Sequence, residues 1–90
     1  MDNETKQKPE FSTMDIYLSA YLTMVKGLEY RLKASDRGKV MFLFDLDKTT
    51  AFDYIDEFNH RGTTVPLSEY VHEVKHLRGK MNDYRNPINY

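Results

Sequence analysis

Two short stretches place chemically capable residues at suggestive spacings. In residues 40–52, VMFLFDLDKTTAF, an apolar run ends in Asp45-Leu46-Asp47-Lys48-Thr49. Two aspartates two residues apart at a strand end form the pattern in which the first attacks phosphorus and the second handles a proton. In residues 72–82, HEVKHLRGKMN, His72 and His76 bracket Glu73, Val74 and Lys75. On a helix this spacing puts both imidazoles on one face, as a zinc pair requires, with a glutamate beside them as base.

Each pattern needs surroundings that the rest of the chain must supply. The first reads like the opening motif of the haloacid-dehalogenase phosphatases. Their chemistry also uses a lysine and further carboxylates that hold magnesium at the ends of several parallel strands. A chain with one hairpin and no repeated strand–helix alternation predicts no such sheet. A simpler reading makes Asp47 the N-cap of a helix starting at Lys48, with Asp45 on the polar side of the strand. The second pattern extends through Gly79 and Asn82 to one residue type from the metzincin signature. Asn82 is a poor zinc donor, Asp83 is out of register, and Lys75 puts a cation between the histidines. Here the simpler reading is a solvated face of Glu69, His72, Glu73, Lys75 and His76 opposite an apolar stripe. The expectation is therefore no enzyme: no catalytic residue, no cofactor and no resident metal, any metal at His72 and His76 being adventitious.

Size and composition narrow the classes further. The 90 residues form one domain, and 40% apolar with 13% aromatic content builds a small core with little material for a deep cleft. Thirteen basic and fourteen acidic residues nearly cancel, so any charged site must be local. With no cysteine, the chain has no disulfide, thiolate metal site or cysteine nucleophile, which suits a reducing compartment. The opening MDNETKQKPE has no apolar core, so no signal peptide is expected there. The longest weakly charged run, Ile16 to Val25, is about half a bilayer span. A cytoplasmic location without membrane attachment is expected.

The elements that would position these residues follow from periodicity. Residues 1–10 are a polar tail expected to be disordered. Ser12 followed by Asp15 reads as a capping-box variant, predicting a helix from about Thr13 that is apolar on nearly every face, hence central, and stops at Gly27. From Leu28 to Lys33 the period is two, the turn residues ASDRGK follow, and Val40 to Leu46 returns, which makes an antiparallel hairpin. Val40, Phe42 and Phe44 should enter the core. A second helix, from about Lys48 to Asn59, should turn Ala51, Phe52, Ile55 and Phe58 inward, with Gly62 at or beyond its end. Tyr70, Val74, Leu77 and Met81 mark a third helix entered through Val65-Pro66. The predicted fold is a small α+β domain over residues 11–84, ordered α-β-β-α-α, with one hairpin packed on three helices and a frayed tail over residues 85–90.

Residues FSTMDIYLSAYL, an alternating strand pair ending in VMFLF, the VPLSEYV segment and a closing HLRGKM together resemble a family of small uncharacterised bacterial and phage proteins. Phe11, Thr13, Asp15, Leu18, Ala20, Leu22, Val40, Phe42, Phe44, Val65, Tyr70, Leu77 and Arg78 carry the resemblance, while Ser19 stands where alanine is usual. It implies that the aspartates after Phe44 and the histidines of the third helix are ordinary surface positions. It also implies a likeness, in size and genomic type, to accessory proteins of mobile elements involved in replication and defence. The resemblance brings no activity with it.

Function must then lie on the surface. Arg31, Lys33, Arg37 and Lys39 gather on the polar face and tip of the hairpin, diluted by Glu29 and Asp36. Lys75, His76, Arg78, Lys80 and Arg85 make the end of the third helix basic, and Asp53, Asp56 and Glu57 make the second helix acidic. The first expectation is an accessory module of a phage or mobile element that binds a partner protein through exposed aromatics such as Tyr54 and Tyr84. The alternative is single-stranded DNA held by Arg31, Lys33, Arg37, Lys39, Lys75, Arg78 and Lys80, with Tyr84 or Tyr90 stacking on bases. Near-zero net charge favours the former, and seven tyrosines allow a homodimer.

Overall fold

The computed structural model describes residues 9–35, 37–60 and 64–85. In chain order the elements are β1 (Phe11–Thr13), α1 (Ile16–Met24), β2 (Arg31–Ala34), β3 (Val40–Phe44), α2 (Lys48–Asn59) and α3 (Leu67–Arg85). The hairpin and three helices are those expected from periodicity, in the expected order. An additional strand, β1, pairs with the free edge of β3, so the antiparallel sheet runs β1-β3-β2. Phe11 lies opposite Phe44, and Leu32 opposite Phe42.

β1 also corrects the start of the first helix. Residues 11–13 pair with β3 instead of capping, and the cap is Asp15, whose carboxylate accepts from the Tyr17 N–H at 2.9 Å and the Leu18 N–H at 3.1 Å. Those amides have no partner within the helix, so a side-chain acceptor there fixes where the helix begins. At the other end Gly27 takes φ +69°, and the chain turns back so that the Leu28 N–H reaches the Leu22 carbonyl at 3.1 Å. In the hairpin turn Gly38 takes φ +77°, and its N–H bonds the Ser35 carbonyl. Both positions need backbone that residues with a Cβ rarely adopt.

The core lies between the sheet and the helices. Phe42 and Phe44 from β3, Leu18, Ala20, Tyr21 and Leu22 from α1, Ala51 from α2, and Val74 and Leu77 from α3 are buried together. Full burial of a Phe or Leu side chain stabilises by about 1.5–3 kcal/mol, so the centre of this small domain is built on α1 and β3. Helix α1 is buried from Ile16 through Leu22 except at Tyr17. On α3, Tyr70 and Met81 pack against the core beside Val74 and Leu77, as the apolar stripe predicted.

Helix α2 is rotated from its expected setting. Ile55 and Phe58 pack against the core, but so does Tyr54, whereas Phe52 is 56% exposed. Ala51, Tyr54, Ile55 and Phe58 have the spacing of one helical face, at whose edge the Lys26 ammonium sits 4.6 Å from the centroid of the Tyr54 ring and 2.6 Å from Glu57 Oε1. Residues 1–8, 36, 61–63 and 86–90 lie outside the described residues, and with them most of the expected tails and the Gly62 helix end. Arg85 is the last residue of α3. Among the described residues no helix is long and apolar enough to cross a membrane.

Candidate functional site

The two chemical motifs resolve into local structure. Asp47 caps α2, its carboxylate accepting from the Thr50 N–H at 2.7 Å, and this bond holds the Asp47 carboxyl below its ordinary pKa. Asp45 accepts from Arg31 Nη1 at 3.0 Å. One aspartate therefore starts a helix and the other closes an ion pair, in an antiparallel sheet. His72 and His76 are exposed on the side of α3 away from Val74, while Glu73 turns toward α1 and accepts from the Thr23 hydroxyl at 2.6 Å. Among the described residues no group of three or more His, Asp or Glu is placed to hold a metal ion.

The basic residues do not form one surface. Arg31 reaches from β2 across β3 toward the start of β1, where Nη2 meets Glu10 Oε2 at 2.7 Å, while Nη1 meets Asp45. Glu10 first and Asp45 second hold the guanidinium above its ordinary pKa. Of the candidate phosphate contacts, Arg31 is thus the one that already shares its guanidinium with two carboxylates of the chain. The strap it makes crosses the outer face of the sheet beside its register partner Leu43, which is buried although it points away from the helices. Arg37 and Lys39 instead edge an open concavity of about 330 Å³ with Met14, Ser35 and Met41, and Lys33 stands opposite Met41 in the register.

Lys75 and Arg78 edge a second concavity, between α1 and α3, of about 230 Å³. Its walls are Tyr17, Tyr70, Val71 and Val74. The Tyr70 hydroxyl donates to the Tyr17 carbonyl at 2.7 Å, which pins the two helices together below the groove. Burial, with Asp15 and Tyr17 nearby, pushes the Tyr70 phenol up in pKa, so it stays protonated and keeps donating. Above that bond Tyr17 is 51% exposed, Val71 43% and Leu67 74%. Leu67, Val71, Lys75 and Arg78 follow one another at helical spacing along one side of α3, so the apolar surface runs directly into two cations. Among the described residues neither cation has an ion-pair partner. By helical geometry Lys80 lies on the far side of α3 from Arg78.

The two aromatic candidates also separate. Tyr84 is exposed, on the Glu73 side of α3 rather than in the groove. Tyr54 is not a free aromatic: it is half-buried against the core under Lys26, and Phe52 has its place in solvent. The sequence reading missed Tyr17, Leu67 and Val71. The signal was present on α3, where Leu67 and Val71 fall outside the stripe needed for the core and so widen its apolar face.

No family model, no curated protein and no solved structure matches this chain.

Proposed function

We propose that this chain is a non-enzymatic binding module that grips a partner protein in the α1–α3 groove. One observation carries this reading: an apolar groove with exposed Tyr17 and Val71 runs into the cations Lys75 and Arg78, which have no ion-pair partner among the described residues. An aromatic or aliphatic anchor desolvated in such a groove supplies affinity, and cations at the rim select a partner segment with acidic residues beside the anchor. Two facts already described support a binding role over catalysis: both aspartates of the strand-end motif serve local structure, and Glu73 is engaged by Thr23. The resemblance of residues 11–84 to small bacterial and phage proteins supports a cytoplasmic accessory role in a phage or mobile element.

Selection from a random peptide library on the immobilised full chain tests the reading. Enriched peptides should share an aromatic or large aliphatic residue flanked by Asp or Glu, and Arg78→Glu should lose them. Enrichment without that pattern, or capture unaffected by Arg78→Glu, overturns it. A second reading rests on the other concavity, where Arg37 and Lys39 lie with Met14 and Met41, Lys33 stands opposite Met41 in the register, and single-stranded DNA is the ligand. Titrating labelled single-stranded DNA at two salt concentrations separates the two. Submicromolar affinity that collapses with salt and is lost in a Lys33, Arg37, Lys39→Gln variant favours DNA.

A further inference from the structure

We infer that a second copy of this chain supplies a segment that fits the groove, so that the protein self-associates head to tail, with Phe52 of one copy seated between Tyr17 and Val71 of the next. This rests on the groove reading above and names its occupant. Phe52 is 56% exposed on α2, and Asp53 and Asp56 are exposed beside it, the latter one turn further along the helix. An aromatic knob with two carboxylates is thus displayed on one side of the molecule. An apolar groove ending in Lys75 and Arg78 opens elsewhere on it. Shape class and charge sign match: an apolar anchor meets apolar walls, and two anions meet two cations. The like-signed exceptions, Lys48 one turn before Phe52 and Asp15 near Tyr70, are themselves of opposite sign.

A chain cannot fill its own groove this way. Helix α2 is tied to α1 through Glu57, which accepts from the Tyr21 hydroxyl at 2.9 Å and pairs with Lys26, and through the Tyr21–Phe58 ring contact at 5.5 Å. Phe52 lies on the opposite side of α2 from Tyr54, facing away from that seam. Knob and groove are different patches, so the contact is heterologous: a pair of copies keeps one unused groove, on the copy that gave its knob, and one unused knob, on the other, and growth continues unless the rotation closes a ring. With a small contact, association should be weak, on the order of micromolar to millimolar, and strengthened by low salt.

Sedimentation velocity on the full chain over a concentration series tests this. The mean mass should rise with concentration past that of a dimer and fall back as salt is raised. Phe52→Ser and Arg78→Glu should each be monomeric with unchanged circular dichroism, since both side chains are in solvent. Mixed in equal amounts they should form a one-to-one dimer and nothing larger, because the first retains only its groove and the second only its knob. Asp53→Lys combined with Asp56→Lys is a second knob variant and should behave as Phe52→Ser does. A wild type that stays monomeric at about 1 mM, or variants that associate as the wild type does, overturns the inference. A monomeric wild type that still captures acidic aromatic peptides through Arg78 sinks self-association alone. Loss of peptide capture together with self-association sinks the groove reading as well.

Discussion

Helix α1 has a seam on either side, and the two are closed by different means. Toward α2 the seam is bridged by polar groups: Glu57 takes the Tyr21 hydroxyl and the Lys26 ammonium, and Lys26 also covers the Tyr54 ring. Toward α3 it is closed by apolar packing of Val74 and Leu77, with a hydrogen bond from Tyr70 to Tyr17 and another from Thr23 to Glu73. Every charge in the first seam has a partner, and its aromatics are held. In the second the apolar surface outruns the helix it packs against, leaving Tyr17 and Val71 exposed beside two cations that have no ion-pair partner among the described residues. Composition alone does not separate them, since both combine tyrosines with lysine. What separates them is whether a carboxylate meets the cation: Glu57 pairs with Lys26, while among the described residues Lys75 and Arg78 have no ion-pair partner.

The largest energies lie in the apolar seam. Leu77→Ala empties a fully buried site in the apolar seam and should cost about 2–5 kcal/mol in urea unfolding. A cost below about 1 kcal/mol would mean that α3 is not held by packing. Asp15→Ala removes the cap of the helix that both seams share, and should cost about 0.5–2 kcal/mol while leaving the folded far-ultraviolet spectrum nearly unchanged.

The polar seam should respond more gently and with a dependence on pH. Tyr21→Phe deletes one hydrogen bond to a carboxylate and should cost about 1 kcal/mol. The hydrogen bonds from Lys26 and then Tyr21 hold the Glu57 carboxyl below its ordinary pKa. A carboxylate depressed in the folded state contributes stability that is complete above its unfolded pKa, about 4.3, and is lost as pH falls through the folded value. Glu57→Gln should therefore flatten the acid side of the stability profile below about pH 5, whereas Val71→Ser in the other seam should keep the wild-type acid slope. An unchanged acid slope in Glu57→Gln would show that the bridge contributes nothing to folding. The smallest effect on stability should come from the open groove, where Val71→Ser and Lys75→Gln shift unfolding by within about 0.5 kcal/mol. The same two variants should lose the selected peptides, and retained binding would move the site elsewhere.

Much of this was legible in the residues. Asp47 reads as a cap and is one; Asp45 reads as a solvent-facing strand residue and lies exposed beside Arg31; Gly38 reads as a positive-φ turn position and takes it. The apolar spacing of Tyr70, Val74, Leu77 and Met81 placed the inner face of α3 correctly. These are local matters, decided by a residue and its neighbours within one helical turn or one pleat, and local preference is what a sequence displays directly.

What it did not display depends on residues far apart in the chain. β1 is three residues long, too short for a period of two to register, and exists because the edge of β3 offers it backbone partners. The setting of α2, with Tyr54 in and Phe52 out, depends on which of its faces meets the core, where Lys26, beyond the end of α1, covers the Tyr54 ring. Arg31 counts as a free cation until Glu10 and Asp45 are brought to it across the sheet. The groove, too, exists only when α1 and α3 meet. The Asp47 cap, the hairpin turn at Gly38 and the apolar face of α3 are written in the residues, because each rests on short-range geometry. Which charges are paired and which aromatics stay exposed follow from folding, because both depend on groups that the chain must bring together from a distance.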